Sequence, residues 1–204
     1  MSTGTPGSAQ ERLAGADRIQ LFLDYDGTLA DFAPTPEHVE ADPALVDLIG
    51  RLVREPRLRV SVVSGRRLDH VRKLVPVPGV LLAGTYGVEL QTPGGRRQDR
   101  LDYARVRPVL EALKPQWAAL IAGRDGFFLE DKGWALALHA RYAAEEEAGE
   151  VLASARRLAG AAREAAGPDL FRLLGGHKFL EIGPRLAHKG RTVAFLLDRY
   201  PWPG

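Results

Sequence analysis

Ile19-Gln20-Leu21-Phe22-Leu23-Asp24-Tyr25-Asp26-Gly27-Thr28 is the stretch on which the fold turns. A short apolar run ends directly in a carboxylate, the pattern of a strand buried on both faces of a parallel sheet with an acidic loop at its C-terminal end. Downstream, a Pro-rich stretch runs to Glu40, and Asp42-Pro43 supplies an N-cap followed by proline in the first helical turn. Leu45, Leu48, Ile49, Leu52 and Val53 then recur at helical spacing and make one apolar stripe. Leu58 to Val63 is a second strand ending in Ser64-Gly65-Arg66; Leu68, Val71 and Leu74 mark another helix, and Val80 to Ala83 a third strand. Strands alternating with helices predict an α/β core, a Rossmann-like parallel sheet with right-handed crossovers whose ligands sit at the strands' carboxyl ends. Asp24 and Ser64 both fall there.

From about Tyr103 the pattern changes. Val88 to Gly95 first reads as a hairpin with a glycine turn. A helix to Ala122 follows, then a hairpin over Phe127 to Tyr142 turning near Lys132-Gly133, an alanine-rich helix from Ala143 to Ala166, and a hairpin from Leu170 to Ile182. Helices alternating with hairpins predict an antiparallel α+β lobe over residues 103–183, inserted into a core of residues 17–102 and 184–204. A helix from Leu186 to about Arg199 returns to the core, and Pro201-Trp202-Pro203-Gly204 cannot extend it.

The 204 residues suffice for a buried core, and 45% hydrophobic with 26% charged residues is ordinary for a folded protein. A net charge of +2 without a Lys/Arg block argues against nucleic acid, and no apolar run is long enough to span a membrane. There is no cysteine, so disulfides, thiol catalysis and cysteine-ligated metals are excluded. Residues 1–16 are polar and Gly/Ser-rich with no apolar core of a signal peptide, which predicts a disordered start and a cytoplasmic protein.

Two carboxylates one residue apart at a strand end can face one pocket, with the intervening carbonyl aimed at the same spot. Together Asp24 and Asp26 make a hard oxygen site for Mg²⁺, which lets a carboxylate approach a phosphate dianion. Asp24 can then act as nucleophile, and Asp26 can protonate the leaving alkoxide and later activate water. Gly27 permits close approach of the backbone, and Thr28 can hydrogen-bond near the turn. The same residues alone also suit a solvated turn after a strand. Ser64 with the Gly65 amide can hold phosphate oxygens, and Lys189 at the start of the last helix can add a fixed positive charge. Asp-x-Asp, Ser and Lys in this order on successive elements is a specific combination.

At this point the sequence resembles the haloacid-dehalogenase superfamily of phosphatases, with its first three motifs at Asp24 to Thr28, Ser64 and Lys189. It narrows to the trehalose-6-phosphate phosphatase family on Leu129-Glu130-Asp131-Lys132-Gly133, Leu138-His139-Ala140-Arg141, Lys178-Phe179-Leu180-Glu181-Ile182-Gly183-Pro184 and His188-Lys189-Gly190. The resemblance implies Mg-dependent hydrolysis of trehalose 6-phosphate, an inserted cap that recognises the sugar, and a trehalose-6-phosphate synthase as a partner. By it, Asp24, Asp26, Ser64 and Lys189 are catalytic, and Gly65, Arg66, Glu130, Lys132, Arg141, Lys178 and Glu181 bind substrate. Charged groups suit sugar hydroxyls through charge-assisted hydrogen bonds. His139 shares a predicted strand face with Arg141 but is read as structural.

The pattern departs from the family at two places. Where many relatives have histidine after the third strand, this chain has Gly84-Thr85-Tyr86-Gly87. Relatives also carry a fourth, acidic Gly-Asp-Asp-type motif after the Lys189 helix. The sequence stops before such a segment, and Asp198 lies inside the expected helix, so a C-terminally incomplete core is expected. Another sugar-phosphate phosphatase of the superfamily, and an inactive sugar-phosphate binder, stay open as alternatives.

Overall fold

The computed structural model describes residues 8–31 and 39–201. It begins with a helix, α1 (Ala9–Ala14), where the sequence suggested a disordered start. The cause is a capping box: the Ser8 hydroxyl accepts from the Glu11 amide (3.2 Å) while the Glu11 carboxylate accepts from the Ser8 amide (2.6 Å). Residues 1–7, most of the Pro-rich stretch before Glu40, and Trp202 to Gly204 lie outside the described residues.

The apolar run before Asp24 forms β1 (Ile19–Leu23). It pairs in parallel with β2 (Leu58–Val63), which pairs in parallel with β3 (Leu81–Gly84). Two helices, α2 (Pro43–Arg54) and α3 (Leu68–Leu74), make the crossovers. Both bury their stripes on one face of the sheet, Leu45, Ile49, Leu68, Val71 and Leu74 packing with Val60, Val62 and Leu82. Successive right-handed crossovers in one direction require that shared face. After β3 the chain reverses through β4 (Glu89–Gln91) and β5 (Arg97–Asp99), extending the sheet in the order β1-β2-β3-β4-β5.

The second lobe consists of α4 (Tyr103–Ile121), β6 (Phe128–Asp131), β7 (Leu136–His139), α5 (Glu145–Ala166), β8 (Phe171–Gly176) and β9 (Phe179–Pro184). Its four strands are antiparallel in the order β6-β7-β9-β8. Leu136, Leu138, Leu180, Ile182 and Phe171 point to the helices and bury against Leu110, Leu113, Trp117, Val151 and Ala155. The Trp117 indole donates to the Ala155 carbonyl at 3.1 Å, locking α4 to α5. Side chains alternate along a strand, so the opposite parity forms the face turned away from the helices. Glu130, Ala137, Glu181 and Leu174 stand in one cross-strand row there.

The chain returns through α6 (Lys189–Arg199), which starts later than the apolar spacing from Leu186 suggested. Ala187 is tied back to the Pro184 carbonyl (2.9 Å), and extended His188 caps the helix by accepting from the Arg191 amide (3.3 Å). Leu196 of α6 packs with Val63, Leu81, Ala83 and Leu90 in a cluster separate from that of α2 and α3. No helix among the described residues is long and apolar enough to cross a membrane.

Candidate active site

Asp24, Ser64 and Thr85 follow directly on the C-terminal ends of three adjacent strands. The loop after β1 is wound tightly around one carbonyl. Tyr25 oxygen accepts from the amides of Thr28 (3.3 Å), Leu29 (2.9 Å) and Ala30 (3.0 Å), and Gly27, at φ 77°, donates to Ala30 oxygen at 2.7 Å. This corrects the sequence reading: the carbonyl between the two aspartates serves the turn. The Asp26 carbonyl accepts no hydrogen bond from any described residue. Buried Tyr25 anchors the loop in the core beneath.

Lys189 Nζ contacts Asp24 Oδ2 directly, joining residues 165 apart in sequence. A cation in the first turn of a helix opposes the helix dipole. Local propensity would not put it there, and the Asp24 carboxylate offsets the conflict. Asp26 is held from the other side: Arg66 donates from Nε at 2.9 Å and from Nη2 at 2.6 Å to its two oxygens. The guanidinium also lies 5.7 Å from the Tyr25 ring centroid and 3.3 Å from His70 Nδ1. Arg66, expected on the substrate, thus orients the second aspartate. Ser64 is fully buried, and its hydroxyl accepts from the Arg66 amide at 3.1 Å.

Asp24 and Asp26 offer the oxygen chemistry that Mg²⁺ takes, since that ion is commonly held by one or two carboxylates with substrate phosphate and water. No group of three His, Asp or Glu side chains suited to a metal occurs among the described residues. Asp24 and Asp26 have the oxygen chemistry of a two-carboxylate site, with Asp24 engaged by Lys189 and the Tyr25 amide and Asp26 by Arg66.

On the face of the second lobe turned away from the helices, Lys132 Nζ donates to Glu181 at 2.8 Å and lies 3.7 Å from Glu130. Glu130 is bonded to His139 Nε2 at 2.9 Å, and Arg172 Nη2 approaches Glu181 at 3.9 Å. Burial works to raise the Glu130 carboxyl, but the His139 hydrogen bond and the Lys132 charge hold it below its ordinary value. For Lys132, burial opposes the charged form and the Glu181 and Glu130 charges outweigh it, raising its pKa. The resulting band of alternating charge is flanked by Phe128, whose ring stacks on His139 with centroids 4.3 Å apart.

Two expected substrate residues do not join this band. β7 ends at His139, so Arg141 sits on an exposed turn and shares no strand face with it. The Ala143 amide bonding back to Ala140 oxygen at 3.1 Å makes that turn. Lys178, in the left-handed region at φ 55°, donates instead to Ala143 oxygen (2.8 Å) and pairs with Glu145 (3.2 Å) beside α5. Arg172 and His139 do join it, though sequence reasoning left them out. Their signal was strand parity: both share the face of Glu130 and Glu181.

A model of the trehalose-phosphatase family matches residues 22–203. The chain is 32% identical over 199 residues to the "Trehalose-phosphate phosphatase" of Mycobacterium avium (strain 104), covering 95% of this chain and 49% of that protein. It is 34% identical to the "Probable trehalose-phosphate phosphatase" of Sinorhizobium fredii (strain NBRC 101917 / NGR234), covering 92% of this chain and 67% of the relative. The chain thus spans about half the length of the mycobacterial relative. The solved C-terminal domain of a C. albicans trehalose-6-phosphate phosphatase superposes with TM-score 0.73 at 20% identity, covering 93% of this chain and 64% of that one. At that identity the likeness speaks for the fold.

Proposed function

Because the chain belongs to the trehalose-phosphatase family, we propose that it serves the Mg-dependent hydrolysis of trehalose 6-phosphate to trehalose and phosphate through an aspartyl-phosphate on Asp24. The observation that carries this reading is the contact of Lys189 with Asp24 at the end of β1. An Asp24 oxygen attacks phosphorus while the ester oxygen departs with the sugar and takes a proton from Asp26. Asp26 then removes a proton from water, whose oxygen attacks phosphorus, releasing phosphate and restoring Asp24. Lys189 offsets the negative charge gathered at the attacking group, and Arg66 keeps the Asp26 carboxylate in place. When bound by Asp24 and Asp26, Mg²⁺ supplies the charge neutralisation that lets a carboxylate meet a phosphate dianion.

Recognition of the sugar falls to the band of Glu130, Lys132, Glu181 and Arg172, whose charges can serve both donor and acceptor positions of hydroxyl groups. The absence of cysteine suits a reducing compartment, and a cytoplasmic location with a synthase supplying the substrate completes the proposal. The test is phosphate release from a panel of sugar phosphates with Mg²⁺ present. Trehalose 6-phosphate should give the highest kcat/KM; a preference for sucrose phosphate would displace the reading in favour of another sugar-phosphate phosphatase.

A further inference from the structure

The turn that follows β3 is held in a conformation its residues do not favour. Thr85 (φ 48°) and Tyr86 (φ 52°) are both in the left-handed region, followed by Gly87 (φ 91°). A non-glycine residue there costs on the order of 1–3 kcal/mol and persists only where its surroundings fix it. Four bonds fix this one. The Thr85 amide donates to Arg66 oxygen (2.7 Å), and the Tyr86 amide to Ser64 oxygen (2.8 Å). The Thr85 hydroxyl donates to buried Glu89 (2.7 Å), and Tyr86 oxygen accepts from the Thr192 hydroxyl (2.7 Å).

The consequence is the position of the Tyr86 ring. It lies on Gly65: a Cβ at that glycine would fall 2.6 Å from Tyr86 Cζ and 2.7 Å from its hydroxyl oxygen. Lys189 Nζ and Arg172 Cζ each lie 5.9 Å from its ring centroid. One cation belongs to the Asp24 centre and the other to the charged band through Glu181. The ring is half-buried, yet its hydroxyl makes no hydrogen bond with any described residue. A strained turn that presents an unbonded phenol at the seam of two charged regions has placed it for a ligand spanning both.

Resting on the reading above, we propose that Tyr86 is a specificity-determining residue that contacts the phosphate-bearing hexose of the substrate, its hydroxyl hydrogen-bonding a sugar hydroxyl and its ring stacking on the C–H face. Asp24 and Lys189 take the phosphoryl group, and Tyr86, its ring 5.9 Å from Lys189 Nζ, meets the next unit outward. A polar group built to bond a substrate hydroxyl discriminates strongly against ligands that lack it. Gly65 is glycine because the tyrosine occupies the space of its side chain.

The test compares binding of trehalose 6-phosphate and of inorganic phosphate by calorimetry with Mg²⁺ withheld, so that the sugar phosphate is not turned over, in the wild type, Tyr86→Phe and Tyr86→Leu, with a thermal midpoint for each. Tyr86→Phe keeps the ring on Gly65 and removes only the hydroxyl. It should weaken trehalose 6-phosphate about 10-fold, the value of one hydrogen bond of about 1.4 kcal/mol, while changing phosphate affinity far less. Tyr86→Leu should weaken the sugar phosphate further. Equal weakening of both ligands, or none by Tyr86→Phe, would overturn the assignment, as would a wild type that takes phosphate but no sugar phosphate. A wild type that binds trehalose 6-phosphate without hydrolysing it once Mg²⁺ is supplied would refute the proposed function and leave the Tyr86 comparison decisive.

Discussion

Replacing Glu89 with alanine removes the clamp of the turn after β3. The carboxylate is 3% exposed and accepts from the Leu68 amide (3.1 Å) and the Thr85 hydroxyl (2.7 Å), with the Arg67 guanidinium 3.7 Å away. Leu68 is 0% and Thr85 4% exposed, so neither donor gains water when its acceptor goes. Each stranded donor costs about 1–3 kcal/mol, and relaxation of the strained turn returns part of that, leaving about 3 kcal/mol. For a chain of this size that is a fall of about 6–12 °C in Tm. Urea unfolding with an unchanged m-value and thermal melting provide the measurement. Glu89→Gln keeps one acceptor and should cost about 1 kcal/mol. It also removes a charge opposite Asp99, whose carboxyl is raised first by burial and then by Glu89. An acid with a raised folded-state pKa loses stability as pH climbs past its ordinary value, so Glu89→Gln should flatten that loss. A Glu89→Ala change below about 0.5 kcal/mol, the ordinary range of a surface substitution, would refute the clamp.

Asp131→Asn should destabilise the second lobe by about 1–2 kcal/mol, since Asp131 takes two bonds from Arg107 (2.6 and 2.7 Å) and one from Lys114 (2.9 Å). Arg107 above all holds this carboxyl well below the usual range, so its contribution is full above about pH 4 and fades as pH falls below that. Urea midpoints of variant and wild type should therefore differ at pH 7 and converge in acid. Glu181→Ala leaves Lys132 with Glu130 alone at 3.7 Å and should cost about 2–3 kcal/mol in urea unfolding, less than a fully buried pair because Lys132 keeps some solvent. Adding Lys132→Met should restore most of that loss, and strict additivity of the two would show that they are not coupled.

The features legible in the sequence were those set by local pattern. The apolar run into Asp24, the stripe of α2 and the hairpin pairs of the second lobe follow from periodicity, and the structure places elements where that periodicity indicated. Some features that escaped depend on contacts between distant residues. The pairing of Arg66 with Asp26 was hidden because nothing local reveals a partner 40 positions away. Arg141 was assigned to a strand because the turn ending β7 has no glycine or proline, only a backbone bond from Ala143 to Ala140. Tyr86 stood out as a departure from relatives, while its left-handed backbone was hidden because tyrosine is not a residue one expects there. Helix α1 was missed despite a local signal, the Ser8-x-x-Glu11 box, as were Arg172 and His139 despite their strand parity.

The account rests on Asp24 as the group that takes the phosphoryl. The most direct measurement is rapid quenching of the protein with trehalose 6-phosphate and Mg²⁺, borohydride reduction and peptide mass spectrometry. An acyl-phosphate at Asp24 is reduced to homoserine, and the account predicts that mass change on the Asp24 peptide and its absence from Asp24→Asn. Reduction at any other carboxylate, or full turnover by Asp24→Asn, would contradict it.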